Sequence, residues 1–156
     1  MIWIPRPEWF WVSSKLQKMF RTIFFWSITA AVLSSLACLI YDRIYFFALD
    51  ADFSKLINIG SLIGVNLLGC LFAGVGYWLA KKWLGTNGEM IFNLLFSILS
   101  FASIIFPISV SLPIQIKHPE LFPGLTVPMH FFPALAWFTV RPIFIKDGQH
   151  RLKAKT

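Results

Sequence analysis

Charge is scarce in this chain: 13% of its 156 residues are Asp, Glu, Lys or Arg, about half the share of an ordinary soluble domain. A folded chain of this size with so few charges has too little polar surface to cover itself in water, and a disordered tail needs the opposite composition. Cysteine is nearly absent, with two residues, which excludes a secreted scaffold held by disulfides. The short motifs of soluble enzymes are also missing: there is no HExxH, CxxC, P-loop, GxSxG or GxGxxG. Internal repeats, low-complexity tracts and linkers are absent too, and Asp50-Ala51-Asp52 is too short for a calcium loop and reads as a solvated turn.

What is abundant is apolar: 57% hydrophobic and 17% aromatic residues. A spanning helix needs about 20 mostly apolar residues, because about 30 Å of hydrocarbon is covered at 1.5 Å per residue. Four stretches qualify, at about 22–41, 56–80, 90–111 and 124–145, and the first three hold no internal charge. Their length and continuity exclude barrel strands, which alternate apolar and polar over about ten residues. The expected fold is therefore an all-α membrane protein, residues 1–156 forming one integral membrane domain of four transmembrane helices in an antiparallel bundle.

Ahead of the first span, at about 7–20, Trp9, Val12, Leu16, Met19 and Phe20 share one helical face while Ser14, Lys15 and Lys18 lie opposite. That pattern predicts an amphipathic helix lying in the membrane interface, with a docking helix for a partner as the alternative. The segment Ser35-Leu36-Ala37-Cys38 faintly resembles a lipoprotein cleavage box, but Ser35 stands where an aliphatic is wanted, and the segment is expected to stay uncleaved.

The net charge of +7 is unevenly distributed. Eleven of the fourteen Lys and Arg fall in the N-terminal segment, the second-to-third connection and the C-terminal tail; Arg43, Lys55 and Lys117 fall on the other side. Short loops rich in Lys and Arg stay cytoplasmic, so both termini are expected in the cytoplasm, with the protein integral to the cytoplasmic (inner) membrane. The basic excess thus describes orientation. A nucleic-acid partner would need a soluble cationic face with stacking aromatics, and no such domain exists here.

In lipid, helices associate through small residues and occasional side-chain hydrogen bonds. Each span carries such a stripe: Ser27, Ala30, Ala31, Ser34, Cys38 and Tyr41; Asn66, Gly69, Cys70, Ala73, Tyr77 and Ala80; Asn93, Ser97, Ser100, Ser103 and Pro107; and Thr126, His130, Pro133, Ala134, Trp137 and Arg141. A separate Gly60-x-x-x-Gly64 pair fits either a homodimer contact or packing within the chain.

Asn66 lies roughly 15 Å deep, and Ser100 at similar depth is its expected partner, unless the amide contacts a ligand. His130, about six residues below the outer boundary, is the one intramembrane group that titrates near neutral pH. It reads as a proton-relay group, a cofactor ligand, or a neutral imidazole bonded to a neighbour such as Ser34 or Tyr41. Zinc needs three or four ligands, and Cys38 alone joins it at matching depth. Haem would need a second intramembrane His, whereas His118 is in a loop and His150 in the tail. No cofactor is predicted, although a pigment with a single axial ligand fits a lone His130.

Pro128 and Pro133 are expected to kink the last helix and free carbonyls around His130. Cys38 and Cys70 differ too much in depth to pair and are expected as free packers. Arg141, Lys81, Lys82, Lys15 and Lys18 are placed to meet lipid headgroups. The candidate polar seam is thus His130, Asn66, Asn93, Ser100, Ser103 and Ser34.

The second half has a further pattern. A Gly- and Leu-rich helix ends in Lys81-Lys82, a helix with Ser97, Ser100 and Ser103 ends in Phe106-Pro107, and Thr126-Val127-Pro128-Met129-His130 opens the last helix. Over about residues 20–145 this resembles a group of small bacterial four-helix membrane proteins known as a domain of unknown function. The resemblance implies an inner-membrane four-helix protein and no mechanism. The expected role is a non-enzymatic accessory or interaction subunit surrounded by membrane lipids, in a homo-oligomer or larger complex. The alternative is a small-molecule, ion or proton carrier using the seam around His130 and Asn66. An enzyme acting on lipids or quinones ranks third, because no nucleophile–base pair is visible.

Overall fold

The computed structural model describes residues 8–110, 112 and 118–153, and side chains for 17–110, 112 and 118–143. The described residues are helical, without strands: α1 (Glu8–Leu49), α2 (Ile59–Leu84), α3 (Gly88–Ser103), the short α4 (Ile105–Ser109) and α5 (Phe122–Lys153). Three stretches are long and apolar enough to cross a membrane: Gln17–Leu49, Ile59–Ser109 and Pro119–Ile143. The protein is therefore an all-helical membrane protein.

The first helix corrects the sequence reading. The expected interfacial helix at 7–20 and span at 22–41 form one helix of 42 residues, about 63 Å long. No Gly or Pro occurs between Glu8 and Leu49, so nothing in the backbone breaks it. Arg21 and Asp42, the charges that bound the expected span at 22–41, both stay within the helix. It stops at Asp50, whose φ of 51° leaves the helical region. The side chains that would make the amphipathic face at 8–16, Lys15 included, lie outside the described residues.

The turn after α1 is also less solvated than expected. Asp50 and Asp52 are exposed, but the alternating Ala51 and Phe53 are buried with Leu125 in a second, smaller core. Phe53 meets Phe122 edge-on at 5.5 Å. Asp52 accepts the Ser54 amide at 2.9 Å, which holds its carboxyl below the usual range.

Chain reversal after α2 needs only Gly85–Asn87, where about nine loop residues (81–89) were expected. Gly85 has a φ of 59°, a conformation glycine adopts without steric cost. Gly88 lies so close to the Ala80 carbonyl that a Cβ there would collide with it. The third expected span, 90–111, is interrupted at Ile104, where α3 passes into α4. Pro107 lacks the amide that would bond Ser103, and the ladder ends one turn ahead of it.

The main core joins α1, α2, α3 and α5 through Trp26, Tyr77, Phe92 and Trp137. Trp26 and Trp137 stack at 4.4 Å, and the Trp26 indole donates to the Trp137 carbonyl at 3.2 Å. Of the stripe expected on α1, Ser27, Ala30, Ala31, Ser34 and Cys38 are all buried. On α2 the close approach is at buried Gly74, where a Cβ would strike Ser27 Oγ. The Gly60/Gly64 pair has no such role: a Cβ at Gly64 meets nothing within 4 Å and one at Gly60 meets only Asn58. Among the described residues, no neighbouring helix comes within 4 Å of a Cβ at either position.

These two glycines should respond oppositely to substitution. Gly74→Val should lower stability by about 1–3 kcal/mol through overpacking, while Gly64→Val should stay within about 0.5 kcal/mol of the parent. Unfolding midpoints in detergent, followed by far-UV circular dichroism, would test this.

Candidate ligand-binding crevice

Pro128 and Pro133 sit inside α5 and remove two amide protons from its ladder. The carbonyls left without a helical donor are those of Gly124 and Met129. Side chains of α1 reach both: Tyr41 Oη donates to the Gly124 carbonyl at 3.0 Å, and Cys38 Sγ approaches the Met129 carbonyl at 3.9 Å. Tyr45 adds a bond to the Leu121 carbonyl at 2.7 Å. The N-terminal half of α5 is thus fixed to α1 and turns His130 toward α2 and α3.

A cavity of about 680 Å³ lies there, bounded by α2, α3 and α5 with Cys38 of α1 behind it. Its walls are mostly apolar, including Val65, Phe72, Leu95, Leu99 and Met129, with Asn66, Ser100, Ser103, Thr126 and His130 as polar points. Val65, Phe72 and Leu99 are each more than half exposed, so the cavity is a crevice open sideways between α2 and α3.

Asn66 is buried, but its partner is Ser34 rather than the expected Ser100. Ser34 Oγ donates to Asn66 Oδ1 at 2.6 Å, and Asn66 Nδ2 reaches the Leu62 carbonyl at 2.9 Å and Cys38 Sγ at 3.6 Å. Ser100 instead bonds the Phe96 carbonyl at 2.8 Å, and Ser103 the Ser100 carbonyl at 2.7 Å. His130 Nδ1 lies 2.8 Å from the Thr126 carbonyl, so neither Ser34 nor Tyr41 is its partner.

The seam residues therefore divide. His130, Asn66, Ser100 and Ser103 share the crevice wall, whereas Ser34 stands behind Asn66. Asn93 is not in the crevice, and its buried Oδ1 has no partner among the described residues. Cys38 and Cys70 are free and buried.

At the opposite end of α2 and α3, Lys81 and Arg141, expected to meet lipid headgroups, join a charge cluster. Both side chains turn to Glu89: Lys81 Nζ lies 3.0 Å from Oε2, and the Arg141 guanidinium pairs with Oε1. Tyr77 Oη donates to Glu89 Oε2 at 3.4 Å, and the guanidinium lies over the Tyr77 ring. Lys82 and Lys18 remain exposed, Lys82 Nζ 5.0 Å from the Trp78 ring. Glu89 was missed as a functional residue, although it is the one acid between Asp52 and Glu120 and lies at the same end as two cations.

Comparison with protein-family models, with curated proteins and with solved structures finds no match to this chain.

Glu89→Ala leaves both Lys81 and the mostly buried Arg141 without a carboxylate, and should cost roughly 1–3 kcal/mol, between exposed and buried pairs. The double variant Glu89→Leu with Arg141→Met should recover part of that loss, because no charge is then stranded. Unfolding of the two variants and the parent in detergent would check the order.

Proposed function

We propose that this chain is a non-enzymatic integral membrane protein that holds a lipid-soluble small molecule in the crevice between α2 and α3. The observation that carries this reading is the cavity of about 680 Å³ reaching from the exposed faces of α2 and α3 to His130, within the roughly 300–1,000 Å³ typical of ligand pockets. Apolar walls with a few convergent polar groups suit a molecule that partitions into the bilayer and enters sideways.

In this reading the chain crosses the bilayer four times, antiparallel, with both termini in the cytoplasm of a bacterial inner membrane. α2 has 26 residues, and α3 through α4 spans 22, from Gly88 to Ser109; at 1.5 Å per residue these reach about 39 and about 33 Å, each enough to cross about 30 Å of hydrocarbon. The turn at Gly85–Asn87 joins them, so Ile59–Ser109 makes two crossings. Lys81, Lys82 and the basic segments at both termini then share one side, as the orientation rule requires.

A second reading, an accessory subunit in a homo-oligomer or larger complex, draws on the thin packing of Ile59–Ser109. In its most apolar window 11% of residues are buried, against 44% for the first stretch. A second polypeptide would cover that face as well as lipid does.

Native mass spectrometry after gentle extraction separates the two readings. A small-molecule adduct that disappears in Leu99→Trp, with helix content unchanged, supports ligand binding. A co-purifying polypeptide with no adduct supports the accessory subunit. Reporter fusions at the C-terminus and within 51–58 should report opposite sides of the membrane; both on the same side would overturn the four-crossing arrangement, and a C-terminal reporter facing outward would overturn its orientation.

A further inference from the structure

The polar groups of the crevice are one-sided in what they can offer a ligand. His130 Nδ1 faces the Thr126 carbonyl at 2.8 Å. A carbonyl only accepts, so Nδ1 carries the proton of the neutral imidazole and Nε2 keeps a lone pair. The hydroxyls follow the same pattern: Ser100 donates to the Phe96 carbonyl, Ser103 to the Ser100 carbonyl and Thr126 to the Phe122 carbonyl at 2.8 Å. Each hydroxyl has one proton, and each is committed to the backbone, leaving oxygen lone pairs.

Asn66 is the one amide in the wall, and its donors are directed to Leu62 and Cys38. Ser61, near the outer end of α2 and exposed, stands at the rim. Inside that rim the wall presents acceptors.

Building on the ligand-binding reading, we infer that the crevice selects a neutral, lipid-soluble molecule whose polar end donates a hydrogen bond, an aliphatic or phenolic hydroxyl. An ether or ketone of the same shape brings acceptor to acceptor, and a carboxylate adds charge to the same mismatch. A site built for a hydroxyl rejects the analogue lacking it, because its own polar groups are then left unpaired.

The test uses the full chain in lipid nanodiscs, with binding of 1-tetradecanol, its methyl ether and myristate corrected for uptake by empty discs. The alcohol should bind about tenfold more tightly than the ether, the effect of one well-formed hydrogen bond (about 1.4 kcal/mol), and myristate should bind more weakly still. His130→Leu should erase the alcohol's advantage while keeping apolar binding of the ether. Should that variant not fold, Ser100→Ala with Ser103→Ala, which removes no bond between helices, should reduce the advantage. Equal binding of alcohol and ether, or preference for the ether or the acid, overturns the donor inference and leaves ligand binding standing. Failure of all three to bind overturns both.

Discussion

In hydrocarbon no water satisfies a backbone group that loses its helical partner, and of the three prolines inside α5, Pro128 and Pro133 take that partner from two carbonyls within reach of α1. The rest of the architecture depends on how those carbonyls are met. Tyr41 and Cys38 answer them from α1, fixing the longitudinal position of α1 against α5 near the start of α5. The Trp26–Trp137 stack and its indole bond to the Trp137 carbonyl fix it again further along both helices. α1 thereby becomes the post against which the other helices are placed. α2 follows through the Ser27–Gly74 approach and the bond from Ser34 to Asn66.

α3 has no comparable tie to α1. It is held at its first turns by the short connection from α2, by Phe92 against Tyr77 at 5.4 Å, and by Glu89 between Lys81 and Arg141. Its later hydroxyls, Ser100 and Ser103, are bonded within its own chain segment and reach no neighbouring helix. The later half of α3 packs on α5 instead, through Phe101 against Phe131 at 5.3 Å, and the space left beside α2 is the crevice.

Much of the fold was legible because hydropathy and small-residue periodicity report which face of a helix turns inward. Ser27, Ala30, Ala31, Ser34 and Cys38 were readable on that basis and are buried, and the prolines around His130 pointed to carbonyls needing donors. What periodicity does not encode is which neighbour an inward face meets. Asn66 and Ser100 match in depth, yet Asn66 faces α1, because α1 occupies the centre. A Gly-x-x-x-Gly pair is a geometric permission without an address: Gly60 and Gly64 meet no neighbouring helix, while Gly74, in no such motif, carries the contact. The length of α1 was hidden because charges end a hydropathy window without ending a helix, and only Gly, Pro or a competing cap does that.

Depth narrows what the crevice can hold. Asn66 lies about 10 Å along α2 from its start at Ile59, and His130 about 12 Å along α5 from Phe122. In the proposed four-crossing arrangement both starts lie at the same membrane surface, so the polar points of the wall sit well inside the hydrocarbon. A phospholipid keeps its charged headgroup at the interface, and drawing it to that depth would desolvate a charge against acceptors that cannot neutralise it. A molecule with a single weak polar end loses little hydration on reaching the same level and regains a hydrogen bond there. The crevice thus distinguishes such a molecule from the bulk lipid outside by the depth at which its acceptors stand, even though both share the same apolar walls.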